Sequence, residues 1–150
     1  MIHTFRRSGG AEELARELEG LGARAVVTRA HLGSPEGVRT VVEACAEAGP
    51  VRSIIWAAAS AVMRPLGELS RRHLRWSWEV STLPVLEMAL ELRPESLVLL
   101  SSPASERVVP GYGAAAAAKA SLEALARYMA VELAPGTRVN VLSVGLVETP

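Results

Sequence analysis

The sequence predicts an α/β domain in which helices cover both faces of a parallel sheet. Short apolar runs alternate five times with longer amphipathic runs, and no hairpin turn joins successive apolar runs. The run at 97–100, Leu-Val-Leu-Leu, is apolar at every position. Parallel strands need crossover helices, and a strand buried on both faces of a parallel sheet is continuously apolar. The length of 150 residues is that of one domain, so we expect a single domain over 1–150.

The elements of the first half follow from apolar spacing and turn residues. Leu14, Leu18 and Leu21 recur at helical spacing, so a helix is expected over 11–22. Ser34 followed by Pro35 is typical of a helix start, because serine caps free amides and proline suits the first turn. The expected strands of this half are 2–5, 25–28 and 53–56, the last of them buried.

The second half is predicted to contain two long helical stretches and two strands. Residues 71–92 have helical spacing, but Pro84 should kink or split this helix because proline has no amide hydrogen. The strand at 97–100 precedes a long helix over 114–133, which ends before Pro135. The last strand is expected at 138–142.

Charge balance and cysteine content argue against several function classes. Sixteen basic and 16 acidic residues give a net charge of +0, so no basic field indicates nucleic acid or an anionic membrane as a partner. The single cysteine, Cys45, cannot form an internal disulfide, which favours a reducing, cytoplasmic setting. No apolar run approaches the ~20 residues that span a bilayer, and no metal-ligand spacing occurs.

Candidate catalytic residues follow the fourth predicted strand, where ligands of parallel sheets bind. Ser102 ends this strand, Tyr112 comes ten residues later, and Lys119 comes seven residues after Tyr112. Seven residues are almost two helical turns, so the phenol and the amine share a helix face. A phenol beside a cation can donate a proton or a strong hydrogen bond to an oxyanion that forms during hydride transfer.

The simpler interpretation is a solvated tyrosine and a solvated lysine on a helix surface. Against it, Lys119 is the only lysine among the 16 basic residues, and arginine occupies every other basic position. A lysine ammonium is compact and its pKa can be shifted, whereas an arginine guanidinium stays charged. The use of lysine at this one position therefore favours a functional role.

Four segments resemble the short-chain dehydrogenase/reductase family, and the likeness extends over residues 5–149. They are AASAVMRP (58–65), LSS (100–102), KASLEALARYMAVELAP (119–135) and RVNV (138–141). Carbonyl-reducing members have Tyr-x3-Lys, but Ala115 stands four residues before Lys119. Tyr112 and Lys119 instead match the Tyr-x6-Lys pattern of the NADPH-dependent enoyl-acyl-carrier-protein reductases. A 3-oxoacyl reductase is the alternative chemistry.

The resemblance implies a Rossmann-like three-layer fold and a role for each candidate residue. Tyr112 would stabilise the enolate of an enoyl thioester, Lys119 would hold the nicotinamide ribose, and Ser102 would line the site. The further positions implied in cofactor binding are His31 beside adenine, Ala57 and Ala58 beside the ribose, and Gly145 and Thr149 beside the nicotinamide carboxamide. Arg6, Arg7 and Ser8 follow the first strand, where arginine suits a 2′-phosphate and favours NADPH.

Several features of the sequence depart from that family. No glycine-rich phosphate-binding loop is present, so we expect the family's first strand with this loop, and its C-terminal strand, to be missing. Either a fragment or a naturally shortened protein would explain this. Trp56, Ser81 and His31 also replace the residues usual at their positions.

These departures favour a competing hypothesis, a catalytically inactive member that serves as an interaction module. Homodimers or homotetramers are expected in either case, through the helices at 71–92 and 114–133.

Overall fold

A computed structural model describes residues 1–5, 9–60, 62–145 and 147. The chain forms two compact units, Met1–Pro50 and Val51–Pro150. The prediction of a single domain remains a prediction. No helix within the described ranges is long and apolar enough to cross a membrane.

The described residues of the first unit form two strands and two helices in the predicted order. They are β1 (Ile2–Thr4), α1 (Gly9–Gly20), β2 (Val27–Arg29) and α2 (Pro35–Ala48). β1 and β2 pair in parallel, with Ile2 opposite Val27. Val38, Val41 and Cys45 of α2 are buried, as their helical spacing requires.

The start of α2 confirms the capping signal in the sequence. The Ser34 hydroxyl accepts a hydrogen bond from the Gly37 amide at 3.1 Å, and Pro35 occupies the first turn. A Cβ at Gly37 would collide with the His31 carbonyl oxygen. The close approach of these two backbone segments therefore excludes any side chain at Gly37.

The second unit contains three parallel strands in the order β3-β4-β5. Its elements are β3 (Ser53–Trp56), α3 (Arg71–Ser81), α4 (Leu83–Leu92), β4 (Ser96–Ser101), α5 (Gly113–Glu132) and β5 (Arg138–Ser143), with short 3-10 helices at Leu66–Glu68 and Pro103–Ser105. The helical stretch at 71–92 is split before Pro84, as predicted.

Burial in this sheet is one-sided, which corrects two expectations. Leu97 and Leu99 of β4 are fully buried, but Val98 and Leu100 are only half-buried. In β3, which was expected to be buried, Ile55 is 73% exposed. Alternate side chains of a strand point to opposite faces, and Ser101, on the Leu97 face, bonds to α5. The apolar runs therefore mark strands correctly without establishing that both faces are covered.

Leu122 of α5 lies in the core of this unit, with no exposed surface. We expect Leu122→Ala to lower the free energy of unfolding by about 2–5 kcal/mol, because it removes buried methyl groups and leaves a cavity. Chemical denaturation should measure this loss. Leu66→Ala, at a position that is 81% exposed, is the control and should change stability much less. Equal losses in the two variants would contradict the assignment of Leu122 to the core.

Candidate active site

The candidate site lies where β4 ends and α5 begins. β4 ends at Ser101, Ser102 follows it, and the chain then passes through the 3-10 helix at Pro103–Ser105 before α5. Because β3, β4 and β5 are parallel, their carboxyl ends lie at one edge of the sheet. α5 packs against β4, β5 and this 3-10 helix, so the start of α5 and the strand ends belong to one region of the second unit.

Lys119 is buried at this edge and is not the solvated lysine of the simpler interpretation. Its side chain is turned inward, and the residue is only 6% exposed. The ammonium donates a hydrogen bond to the Leu100 carbonyl oxygen at 2.6 Å. Burial lowers the pKa of the Lys119 amine, because the charged form loses hydration, while the negative charge of Glu123 raises it. The sole lysine of the chain therefore reaches the end of β4 as a desolvated amine.

Glu123 is a residue that the sequence analysis missed. The Ser101 hydroxyl, at the last position of β4, donates a hydrogen bond to the Glu123 carboxylate. Glu123 lies four residues after Lys119, so both occupy the same face of α5. That spacing was the available signal, but a Lys-Glu pair at this separation is common on solvated helix surfaces, so spacing alone did not distinguish it.

Tyr112 occupies the N-terminal cap position of α5 and is half-buried. Its carbonyl oxygen accepts the first helical hydrogen bond, from the Ala116 amide at 2.8 Å. Within the described part of the chain, no group forms a hydrogen bond with the Tyr112 phenol. The seven-residue interval to Lys119 corresponds to a rise of about 10 Å, and a long lysine side chain leans toward the helix N-terminus. That the two side chains share one face stays a prediction from this spacing.

Ser102 caps the 3-10 helix that follows β4. Its Oγ accepts a hydrogen bond from the Ala104 amide at 3.3 Å. Its carbonyl oxygen accepts from the Ser105 hydroxyl at 2.9 Å. As a hydroxyl both donates and accepts, the hydrogen of the Ser102 hydroxyl can still be donated to a bound molecule.

A buried hydrogen-bond network joins the end of β3 and the residues after it to α3. The Trp56 indole donates a hydrogen bond to the Ser81 carbonyl oxygen at 2.8 Å. The Ser60 amide donates to the Ser81 hydroxyl at 3.1 Å, and the Ser60 hydroxyl donates to the Ser77 hydroxyl at 2.6 Å. Two of the departures noted in the sequence, Trp56 and Ser81, are therefore direct partners. Ala57 and Ala58 follow Trp56 and are exposed and half-buried, respectively.

The other predicted cofactor positions are only partly described. In the first unit, His31 packs edge-on against Phe5, with ring centroids 4.5 Å apart. Gly145 follows β5, is exposed, and has open space where a Cβ would lie. The predictions for Arg6, Arg7, Ser8 and Thr149 fall outside the described residues. Across the described ranges, no group of three or more His, Cys, Asp or Glu residues could hold a metal ion.

Comparison with known proteins identifies relatives of this chain. The 1-cyclohexenylcarbonyl-CoA reductase of Streptomyces collinus is 30% identical over 146 residues, which are 93% of this chain and 52% of that protein. The NADH-dependent enoyl-acyl-carrier-protein reductase of Aquifex aeolicus superposes with a TM-score of 0.81 and 26% identity, over 97% of this chain and 62% of that chain. The Bacillus cereus enoyl-acyl-carrier-protein reductase, solved with NADP+ and an indole naphthyridinone, gives a TM-score of 0.85 and 26% identity, over 98% and 62%.

These likenesses establish the Rossmann-like α/β fold predicted from the sequence. The chain spans about half the length of the curated relative and under two thirds of the two solved chains. A model of the family described as enoyl-(acyl carrier protein) reductase matches residues 1–150. The chain therefore belongs to the enoyl-acyl-carrier-protein reductase family of short-chain dehydrogenase/reductases.

Proposed function

We propose that this chain carries the catalytic side of a nicotinamide-dependent reductase that acts on enoyl thioesters. The observation that carries the proposal is the desolvated Lys119 amine at the carboxyl end of β4. Tyr112, seven residues earlier, is predicted from its spacing to lie on the same helix face. A bound reduced nicotinamide would supply the hydride.

Lys119 has enough hydrogen-bond donors to bind the nicotinamide ribose. The ammonium has three N–H donors, and one of them is used by the Leu100 carbonyl oxygen. Two donors remain for ribose hydroxyls or for the phenol of Tyr112. Because the amine is buried, its positive charge acts through a medium of low dielectric and stabilises nearby negative charge more strongly than it would in water.

Tyr112 is proposed to donate a hydrogen bond to the thioester oxygen as negative charge develops on it. The phenol has no hydrogen-bond partner among the described residues, so it needs to break no internal bond to do this. Donors aimed at a developing oxyanion are worth about 10²–10³ in rate. Ser102 can contact the same oxygen with its free hydroxyl hydrogen. Ala115, where carbonyl reductases place their tyrosine, is buried and carries no proton donor.

The test is turnover of a crotonyl thioester by the purified chain, followed by the loss of nicotinamide absorbance. Acetoacetyl thioester, a carbonyl substrate, is the comparison. Reduction of the crotonyl compound and not of the acetoacetyl compound would support the enoyl assignment. Reduction of the acetoacetyl compound alone would favour the 3-oxoacyl alternative, and no reduction together with no NADH or NADPH binding would leave only the family likeness.

We propose NADPH as the preferred reductant, on the basis of Arg6 and Arg7 after β1. The solved relatives differ in this respect, since one is described with NADH and one with NADP+. Guanidinium groups bind phosphate strongly, so replacing both arginines by alanine should raise the Kd for NADPH about tenfold or more and leave the Kd for NADH nearly unchanged. Fluorescence titration measures both constants. Equal effects on the two cofactors would contradict a 2′-phosphate site.

We also propose self-association through the helices at 71–92 and 114–133. Tyr128 and Val131 of α5 are 66% and 77% exposed, and Leu90 of α4 is 52% exposed. Tyr128 and Val131 are three residues apart and so lie on one face of α5, and exposed apolar patches on helix surfaces can mark protein interfaces. The same surfaces would serve the alternative function, an interaction module without activity. Light scattering after size exclusion should give the mass of a dimer or tetramer, and a monomer would contradict this proposal.

A further inference from the structure

We propose that Glu123, held by the Ser101 hydroxyl, is a positioning residue whose negative charge favours the cationic form of the Lys119 amine. This inference rests on the proposed function for its catalytic consequence. Its structural part concerns one pair of contacts between α5 and the end of β4.

The two contacts lie side by side. The Lys119 ammonium donates to the Leu100 carbonyl oxygen at 2.6 Å, and the Glu123 carboxylate accepts from the hydroxyl of the next residue, Ser101. Lys119 and Glu123 are one helical turn apart, and Leu100 and Ser101 are consecutive. One turn of α5 is thus tied to the last two residues of β4 through a cation and an anion.

The hydrogen bond from the Ser101 hydroxyl sets the position of the Glu123 carboxylate. Ser101 is 5% exposed, and Glu123 is half-buried. A glutamate on a free helix surface moves among several side-chain conformations. The Ser101 hydroxyl removes that freedom and holds the negative charge on the face of α5 that also carries Lys119. The carboxylate makes no ion pair with Lys119 within 4.0 Å, so it acts on the amine through space.

The charge of Glu123 partly offsets the effect of burial on the amine. Burial lowers the pKa of Lys119, and the Glu123 carboxylate, among the charged groups of the described residues, raises it. α5 packs against α3, β4, β5 and the 3-10 helix at Pro103–Ser105. β4 and that 3-10 helix contain no charged residue. The titratable residues of α3 and β5 are Arg71, Arg72, His73, Arg75, Glu79 and Arg138, and those of α5 besides the pair are Arg127, Tyr128 and Glu132.

The single lysine makes a direct measurement possible. In the full chain labelled with 13C,15N-lysine, one side-chain resonance reports the protonation of Lys119. Glu123→Gln retains an oxygen that can accept from Ser101 but removes the charge that raises the pKa of Lys119, so the titration midpoint should fall. Ser101→Ala should lower it by a smaller amount, because the carboxylate keeps its charge and loses its anchor. Glu132→Gln, at an exposed position of the same helix, is the matched control and should leave it unchanged.

An unchanged midpoint in Glu123→Gln would overturn the proposal, as would an equal fall in Glu132→Gln. If Glu123→Gln does not fold, Ser101→Ala decides, and a midpoint equal to that of the parent chain would overturn the proposal.

The titration is independent of turnover, so it separates this inference from the proposed function. If the parent chain reduces no thioester, the proposed function fails while the titration still tests the Glu123 contact. If the parent chain does reduce the thioester, Glu123→Gln should lose the Lys119 proton at a lower pH. The alkaline limb of its kcat/KM profile should then shift to lower pH by as much as the titration midpoint does. A midpoint that falls while the alkaline limb stays in place would show that the charge of Lys119 does not serve the reaction, and would overturn the catalytic part.

Discussion

Lys119→Met should lower kcat/KM for enoyl thioester reduction by about 10³-fold, or about 4 kcal/mol of transition-state stabilisation. Methionine is similar in length but carries neither the charge nor the donors. It would remove the hydrogen bond to the Leu100 carbonyl oxygen and the two donors left for the ribose. Steady-state kinetics with crotonyl thioester measures the loss, and thermal unfolding verifies that the variant is folded.

Arg127→Met is the matched control for this prediction. It removes one positive charge from the same helix at an exposed position, so kcat/KM should change less than about twofold, as for an exposed charge in salt. A folded Lys119→Met variant with the activity of the parent chain would refute the assignment of Lys119 to the active site. Equal losses in both variants would indicate a nonspecific charge effect.

Tyr112→Phe should lower kcat by about 10²–10³-fold while the Kd of the nicotinamide cofactor changes little. The substitution removes one hydroxyl and keeps the ring. The cap of α5 uses the carbonyl oxygen of residue 112, which phenylalanine retains, so the helix start should be preserved. Steady-state kinetics gives kcat, and fluorescence titration gives the Kd.

Tyr128→Phe provides the control, since Tyr128 is the other tyrosine of the chain and is 66% exposed on the same helix. Its kcat should equal that of the parent chain. If Tyr112→Phe retained full activity, the phenol would not donate to the oxyanion, and the Tyr-x6-Lys spacing would reflect ancestry alone. A loss confined to cofactor binding would instead assign Tyr112 to the binding of the dinucleotide.

The order of elements could be predicted because each depends on residues close in sequence. Ser34 caps α2 within three residues, and Pro84 interrupts a helix through its own missing amide hydrogen. Strand positions followed from short apolar runs, with boundaries that differ from the structure by one or two residues. Burial was less predictable. Ile55 is as apolar as Leu97, yet one is 73% exposed and the other fully buried, because burial depends on what packs against each face.

By itself, the sequence determined the element order and the family likeness, and its spacing predicts a shared helix face for Tyr112 and Lys119, all from local patterns. Only the tertiary structure decided that Lys119 is buried against Leu100, that Ser101 holds Glu123, and that the Trp56 indole bonds to Ser81. These partners are 19, 22 and 25 residues apart. No local periodicity encodes such contacts, because they exist only once α5 has packed on β4 and the end of β3 has met α3.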